Sequence, residues 1–420
     1  MSKPLSKIVI IGAGFAGLSV AKALAKAPVE VTLVDQQNHH LFQPLLYQVA
    51  TAALTPADIA VPIRRILRRQ RNVSVAMDRL LTVDKKKQSV TLESGTTLPY
   101  DILIIATGAQ HSYFGNDHWA EAAPGLKTLD DALSLRDRVL KAFEQAEQIV
   151  ETERKAAERK LRFVIVGAGP TGVELAGAIS ELSQSMMRDF RKITSDMVEV
   201  ILIEGADRVL PTFPEKLSAR SKTYLEQLGV DVRLGTRVTD VSDTQVQTDK
   251  EEIETATIIW AAGVRASPVA EWLGSEAGPN GRIVVDDTLR PGGYDNIYVI
   301  GDVARYEQDG APLPGIAPVA KQMGSFVGKR LAREAEEQDV SKTFRYKDAG
   351  ALATIGRNRA VADIYGLQVT GFLGWLLWGA AHVYFLIGFK NRLFVTLQWI
   401  WSYLTWQRGV RLIMDRKRSK

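Results

Sequence analysis

The sequence predicts an α/β chain in which one parallel-sheet unit is interrupted by a second of the same kind and followed by a C-terminal region of different composition. Three observations carry this reading. A strand, a GxGxxG turn, a helix and a second strand closing on an acid occur twice, ending at Asp35 and at Glu204. Short apolar runs ending in glycine follow each copy, and a third run closes on Gly301 and Asp302. Five of the eight tryptophans lie in the last 46 residues, beside a basic end.

Composition bounds the chemistry. A chain of 420 residues offers roughly three domain-sized cores, and 24% charged with 46% hydrophobic residues is an ordinary globular balance. With no cysteine, disulfides, Cys-ligated metals, iron–sulfur clusters and thiol nucleophiles are excluded, and five histidines (His39, His40, His111, His118, His382) argue against an imidazole-rich metal site. No metal is expected, so a redox role would need a bound organic cofactor. Met1 to Lys7 is too short for a targeting sequence before the first apolar run.

That run, Ile8 to Ile11, leads into Gly12, Gly14 and Gly17, then an Ala/Leu-rich helix to about Lys26 and the strand VEVTLVD ending at Asp35. The first two glycines permit a tight turn and close approach of a pyrophosphate. The third lets helix and strand pack, and the helix N-terminus faces the negative charge. Asp35 is placed to accept from ribose hydroxyls. Thr55, Pro56 and Asp58 then read as a helix start, and Arg64, Arg65, Arg68, Arg69 and Arg71 as a solvated helix face or a contact for phosphate or lipid headgroups. The second copy supplies Gly167, Gly169 and Gly172, and VEVILIE ends in Glu204. Its acid comes later, which requires an extra stretch near Ser183 to Asp196. An acid at each strand end favours free 2′-hydroxyls over a 2′-phosphate. LIIATG contributes Thr107 and Gly108, and IIWAAG contributes Gly263. The whole reads as two Rossmann-like dinucleotide-binding domains.

The order of these segments resembles flavoproteins in which a flavin domain is interrupted by a nicotinamide domain and resumes at the GD motif. By that resemblance the first cradle holds FAD, the second NADH, and Asp302 bonds the flavin's ribityl and phosphate region. The missing cysteines exclude the members that need a redox-active sulfur. The chain resembles most closely the type II NADH dehydrogenases, single-subunit NADH:quinone oxidoreductases, through HHLFQPLLYQVAT (from His39), GAGPTGVELAGAI (from Gly167), YVIGDVA (from Tyr298), PGIAPVAKQMG (from Pro314), ATIGRNRAVAD (from Ala353) and LQWIWSYLTWQRG (from Leu397). In that family a glutamine often stands where this chain has Pro318, which leaves Gln322 as the transferable residue on the quinone side. Pro318 and Val319 would start a helix whose N-terminus stabilises negative charge on the flavin. The resemblance implies a role for Glu174 in catalysis and quinone reduction, against the plainer reading of a first-turn acid favoured by the helix dipole. It also implies flavin-side contacts for Gln43, Pro44 and Gln48, where the plainer reading is loop packing.

Residues 390 to 420 carry eight Lys or Arg against one Asp, a net of +7 in a chain whose total is +5. A basic end beside tryptophans suggests an anionic membrane surface rather than nucleic acid. Gly371 to Phe389 is 19 residues without charge, at the rough 18-residue threshold for a membrane span. A crossing there would put the basic flank in the cytoplasm and the nucleotide sites outside it, away from NADH. Leu393 to Gln407 instead resolves on a helical wheel into two apolar arcs. Leu393, Phe394, Leu397, Ile400, Trp401 and Leu404 form one, Val395, Trp399 and Trp406 the other. One arc can pack on protein while the other enters lipid, as in an in-plane monotopic attachment.

The expectation is therefore an FAD-binding domain in residues 1–118 and 285–345, an NADH-binding domain in 119–284, and a C-terminal region, 346–420, with amphipathic helices for membrane attachment and homodimer contacts. The chain would lie on the cytoplasmic face of the cell's inner membrane, reduce the quinone pool to quinol and, lacking a spanning helix, pump no protons. Two alternatives stand beside this: an NADH-dependent flavin reductase with a protein acceptor, and an NADH-sensing flavoprotein.

Overall fold

The computed structural model describes residues 5–405 and 409–413. The chain divides into two compact units, one of Met1–Leu41, Ala60–Gln110 and Val264–Asp348, the other of Phe42–Ile59, His111–Gly263 and Ala349–Lys420. These cut the chain differently from the functional division drawn above. Phe42–Ile59 and the C-terminal region cluster with the second sheet, and residues 264–284 with the first.

The first unit is built on five parallel strands in the order Ile297–Val299, Ile102–Ile105, Ser6–Ile11, Val29–Asp35 and Val73–Met77. Ile8 to Ile11, Leu103 to Ile105 and Ile297 to Val299 are all buried, as strands of a parallel sheet covered on both faces must be. After Ile11 the chain turns through Gly12, at φ +101°, into the helix Phe15–Ala23. The helix Ala317–Ala335, with Pro318 in its first turn, lies against it. A Cβ on Gly324 would stand 2.2 Å from the Ala16 carbonyl oxygen, and one on Gly328 2.6 Å from the Ala23 Cβ. These two glycines let the helices approach that closely. The helix expected from Thr55 is shorter than the arginine run required. Asp58 does accept from the Thr55 amide and hydroxyl, at 2.7 Å each. The helix nevertheless ends at Ile59, and Ala60–Pro62 becomes a strand beside His39–Leu41. Pro62 explains the break, since it disfavours helical backbone at the preceding residue and lacks an N–H. The five arginines are exposed on and after the short helix Ile63–Leu67.

The second unit has four parallel strands in the order Val230–Arg233, Glu199–Ile203, Arg162–Val166 and Thr257–Trp260. Its nucleotide helix, Pro170–Met186, is 17 residues long against nine in the first unit. Much of the late arrival of Glu204 is that extra helix. A three-stranded antiparallel sheet, Ala351–Gly356, Arg359–Ile364 and Leu367–Thr370, packs on the helix where Gly177 leaves room. A Cβ there would be 1.6 Å from the Ile355 carbonyl oxygen.

Two further helices follow, Gly371–Phe385 and Phe389–Thr405. The 19-residue apolar run is thus broken: Leu386 leaves helical geometry at ψ 136° and Gly388 turns at φ +92°. Among the described residues no helix is long and apolar enough to cross a membrane. The wheel separates as expected. Leu393, Phe394, Leu397, Ile400, Trp401 and Leu404 are 45–71% exposed, whereas Val395 is fully buried. Trp399 donates from Nε1 to Gln48 Oε1 at 2.8 Å, and Gln398 donates to the Ala53 carbonyl at 3.1 Å. Trp406, Gln407, Arg408 and the basic residues from 414 on lie outside the described residues.

Candidate functional site

The two glycine turns share their backbone geometry. Gly12 and Gly167 both have φ +101°. A Cβ on Gly12 would reach 2.4 Å from the Ala106 carbonyl oxygen, and one on Gly167 2.5 Å from the Ala262 Cα. The third glycines, Gly17 and Gly172, each leave only 1.8 Å between an added Cβ and the preceding turn's carbonyl. The middle glycines differ from these. Gly14 and Gly169 have nothing within 4 Å of where a Cβ would be, and each caps the N-terminus of its helix. That open side, at the positive end of the helix where the first N–H groups lack intrahelical acceptors, fits a pyrophosphate.

The strand-end acids hold the turns in shape. Asp35 accepts from the Ala13 amide at 2.6 Å and the Gln37 amide at 2.7 Å. Glu204 accepts from Ala168 at 2.6 Å and Ala206 at 2.9 Å. Burial pushes the Asp35 carboxyl upward, while these backbone donors and His39 pull it back. Each carboxylate retains lone pairs for ribose hydroxyls.

The other expected residues lie as follows within their own units. Thr107 Oγ1 lies 2.5 Å from Ser267 Oγ, Gly108 turns at φ +71°, and Gly301, at φ +75°, donates its amide to Met323 Sδ at 3.3 Å. Asp302 lies beside the glycine turn at Gly315. Val319 is buried at the start of its helix. In the second unit a Cβ on Gly263 would press on the Phe114 ring at 2.9 Å. Gln43 Nε2 reaches the Lys127 carbonyl at 3.3 Å, next to Pro44 in a single helical turn. Gln322, the amide expected on the quinone side, is engaged at both ends. It donates to the Lys347 carbonyl at 2.9 Å and accepts from the Lys347 amide at 3.0 Å. Here it braces the segment around Lys347 instead of presenting an amide.

Gln48 and Glu174 come together. Both line a cavity in the second unit, walled by the long nucleotide helix, the edge Thr354–Arg357, and the helices Gly371–Phe385 and Phe389–Thr405. Glu174, Ala178, Glu181 and Ser185 face it from one helix, at the i, i+4, i+7, i+11 spacing of a single stripe. Burial pushes the Glu174 carboxyl up to about 8, with the Thr354 backbone and the Trp378 indole pulling in the other direction. The acid is therefore mostly protonated at neutral pH. Gln48 donates to the Tyr47 hydroxyl at 3.0 Å while accepting from Trp399. The Trp378 ring packs at a tilt against His382, centroids 4.3 Å apart, and against Trp399 at 5.2 Å. Desolvation holds His382 down at about 4, hence neutral.

Sequence reasoning missed Arg357 and the second role of the tryptophans. The Arg357 amide donates to Glu181 Oε1 at 2.5 Å, and its guanidinium sits 4.1 Å from the Tyr403 ring centroid while donating to the Tyr403 carbonyl. Trp375, Trp378 and Trp399 line the cavity, although composition marked them only as membrane residues. Alternation on the helical wheel was a usable signal for Trp399. Arg357 lies in the ATIGRNRAVAD segment, which carried the resemblance without giving this residue a role.

Comparison with known proteins agrees with this architecture. Residues 6–324 match the model for the pyridine nucleotide-disulphide oxidoreductases, and residues 349–406 match that for the NDH2 C-terminal domain. The class is that of flavoproteins with two dinucleotide-binding domains. The chain is 43% identical over 426 residues to the type II NADH:quinone oxidoreductase Ndh of Mycobacterium tuberculosis, covering 98% of this chain and 91% of that protein. It is 30% identical to the internal alternative NAD(P)H-ubiquinone oxidoreductase A1, mitochondrial, of Arabidopsis thaliana, over 95% of this chain and 84% of that one. The chain belongs to the type II NADH:quinone oxidoreductase family. In fold it is similar to NDH2 from Plasmodium falciparum, solved in complex with NADH, with a TM-score of 0.88 at 20% identity over 98% of this chain and 100% of that one.

Proposed function

We propose that the chain oxidises NADH through bound FAD and delivers the electron pair to a membrane quinone, which leaves as quinol. When bound, FAD supplies the redox chemistry, accepting two electrons from NADH and releasing them to the quinone. The protein's own residues bind, orient and manage protons. The open side at Gly14, with Asp35 behind it, is assigned to FAD, together with Thr107, Gly108, Gly301, Asp302 and the helix start at Pro318 and Val319. The open side at Gly169, with Gly167, Gly172, Glu204 and Gly263, is assigned to NADH. In this reading residues 1–118 and 285–345 serve the flavin, 119–284 the nicotinamide, and 346–420 membrane attachment and dimer contacts on the cytoplasmic face.

The observation that carries the proposal is Glu174, half-buried on the wall of a cavity formed by the second nucleotide helix and two helices with apolar outer faces, where desolvation pushes its carboxyl up to about 8. NADH brings two electrons and one proton as hydride, so forming quinol takes one further proton. A carboxyl that is neutral at pH 7 can donate one and be reloaded through the cavity. Leu397, Ile400, Trp401 and Leu404 point outward from the opposite side of that wall, as a helix lying in a lipid interface would present them.

Steady-state turnover of the purified, FAD-loaded chain with NADH or NADPH and a short-chain quinone tests this. NADH should be strongly preferred, because a 2′-phosphate beside Glu204 meets like charge. Equal use of NADPH would remove the Glu204 assignment, and absence of NADH-driven quinone reduction would remove the function.

A further inference from the structure

The carbonyl of the alanine between the first two glycines is tied down in both turns, by different means. Ala168 O accepts from the backbone amide of Leu210 at 2.8 Å. Ala13 O accepts instead from a side chain, His40 Nδ1, at 2.9 Å. A carbonyl can only accept, so Nδ1 carries the proton. Nε2 has no partner among the described residues, and the side chain is 2% exposed, its ring edge-on to Phe15 with centroids 5.1 Å apart. An N–H at that buried position would go unsatisfied and carry charge. The ring is therefore the neutral Nδ1–H tautomer.

The peptide geometry gives this bond its consequence. The Ala13 carbonyl and the Gly14 amide belong to one planar trans unit, so they point in opposite directions. Drawing the carbonyl toward His40 aims the Gly14 N–H the other way. The Asp35 bond to the Ala13 amide fixes the peptide before it. We propose that His40 is a positioning residue of the first cradle: its Nδ1–H sets the plane of the Ala13–Gly14 peptide and so the direction of the amide that meets the flavin pyrophosphate. The inference rests on the assignment of FAD to this cradle. A tightly held cofactor there depends on one imidazole, whereas the corresponding peptide of the second cradle depends on backbone alone.

The test compares His40→Leu, which keeps bulk and removes the donor, with His40→Asn, whose amide nitrogen can replace Nδ1. For each full-length variant the FAD dissociation constant is measured by flavin fluorescence, together with the KM for NADH, kcat per bound flavin, and apoprotein melting. His40→Leu should weaken FAD retention by roughly tenfold, the size of one lost charge-free hydrogen bond in a buried site. His40→Asn should recover most of it, and both should leave the KM for NADH unchanged. Unaltered FAD affinity in His40→Leu overturns the proposal. So does an Asn variant as weak as Leu with an equal loss of apoprotein melting, which would make the residue a packing element. A raised KM for NADH with unchanged FAD affinity would show instead that the two cradles have been assigned the wrong way round.

Discussion

The two nucleotide helices begin alike and are covered differently. Phe15–Ala23 is short and roofed by the helix Ala317–Ala335, which Gly324 and Gly328 admit to backbone contact. Pro170–Met186 is nearly twice as long and roofed by a strand, admitted at Gly177. A strand covers less of a helix than another helix does. The uncovered stripe of the second helix, from Glu174 to Ser185, faces the cavity, while Ser19, the position of the first helix matching Glu174, donates to its helix's own backbone at Phe15, 2.6 Å away. A duplicated scaffold thus carries a cavity-facing stripe with an acid in the second copy and none in the first, through where its glycines fall.

The comparison breaks most visibly at Glu174. Glu174→Gln keeps the shape and removes the titrating proton, so quinone turnover should fall by roughly 10²–10⁴-fold, the usual worth of a positioned general acid. Reduction of the bound flavin by NADH, followed anaerobically by absorbance, should change little. Wild-type quinone turnover should also decline as pH rises through about 8, where the carboxyl loses its proton; a profile flat to pH 9.5 would exclude it as the donor.

The glycines come next. Gly177→Ala and Gly324→Ala each push a Cβ into a backbone oxygen, at 1.6 and 2.2 Å, and should cost about 1–3 kcal/mol, read as a lowered melting temperature. Gly14→Ala has open space around it, so its melting temperature should hold while FAD retention falls. Equal melting losses in all three would erase the distinction between packing and binding glycines.

Glu174 also makes a smaller, signed prediction about stability. Its folded value, about 8, lies above the ordinary 4.5. Between those limits the unfolded chain has released a proton that the folded chain keeps, so stability falls as pH rises from the lower value to the higher. Glu174→Gln should then melt above wild type at pH 8.5 and close to it at pH 4.5. The mildest expected effect lies on the outer helix face. Trp401→Glu and Leu404→Glu, at 61% and 71% exposure, should weaken sedimentation with anionic vesicles while leaving flavin content and melting nearly unchanged. Undiminished binding would place the lipid contact elsewhere.

Much of the fold was legible because its signals are local. Glycine spacing, β-branched runs and closing acids specify a turn, a strand and a helix start within about 30 residues in the first copy and about 45 in the second. The two arcs of Phe389–Thr405 were likewise a matter of 100° per residue. Proline at 62 and the turn at Leu386–Gly388 cut helices that periodicity alone would have continued. The composite cavity was not legible, since its walls come from residues 47–53, 174–185, 354–357 and 375–403, and nothing in a one-dimensional pattern brings those together.

The amino-acid sequence determined on its own that this is a chain of two dinucleotide folds without sulfur chemistry, because a missing residue type and a backbone requirement for glycine need no partner to be read. Only the tertiary structure decided that Gln322 bonds the Lys347 backbone, that His40 bonds the Ala13 carbonyl, and that desolvation pushes the Glu174 carboxyl upward. Those are statements about what surrounds a side chain: a carboxyl's proton affinity and an amide's availability depend on the solvent removed and the donors supplied by segments far away in the chain.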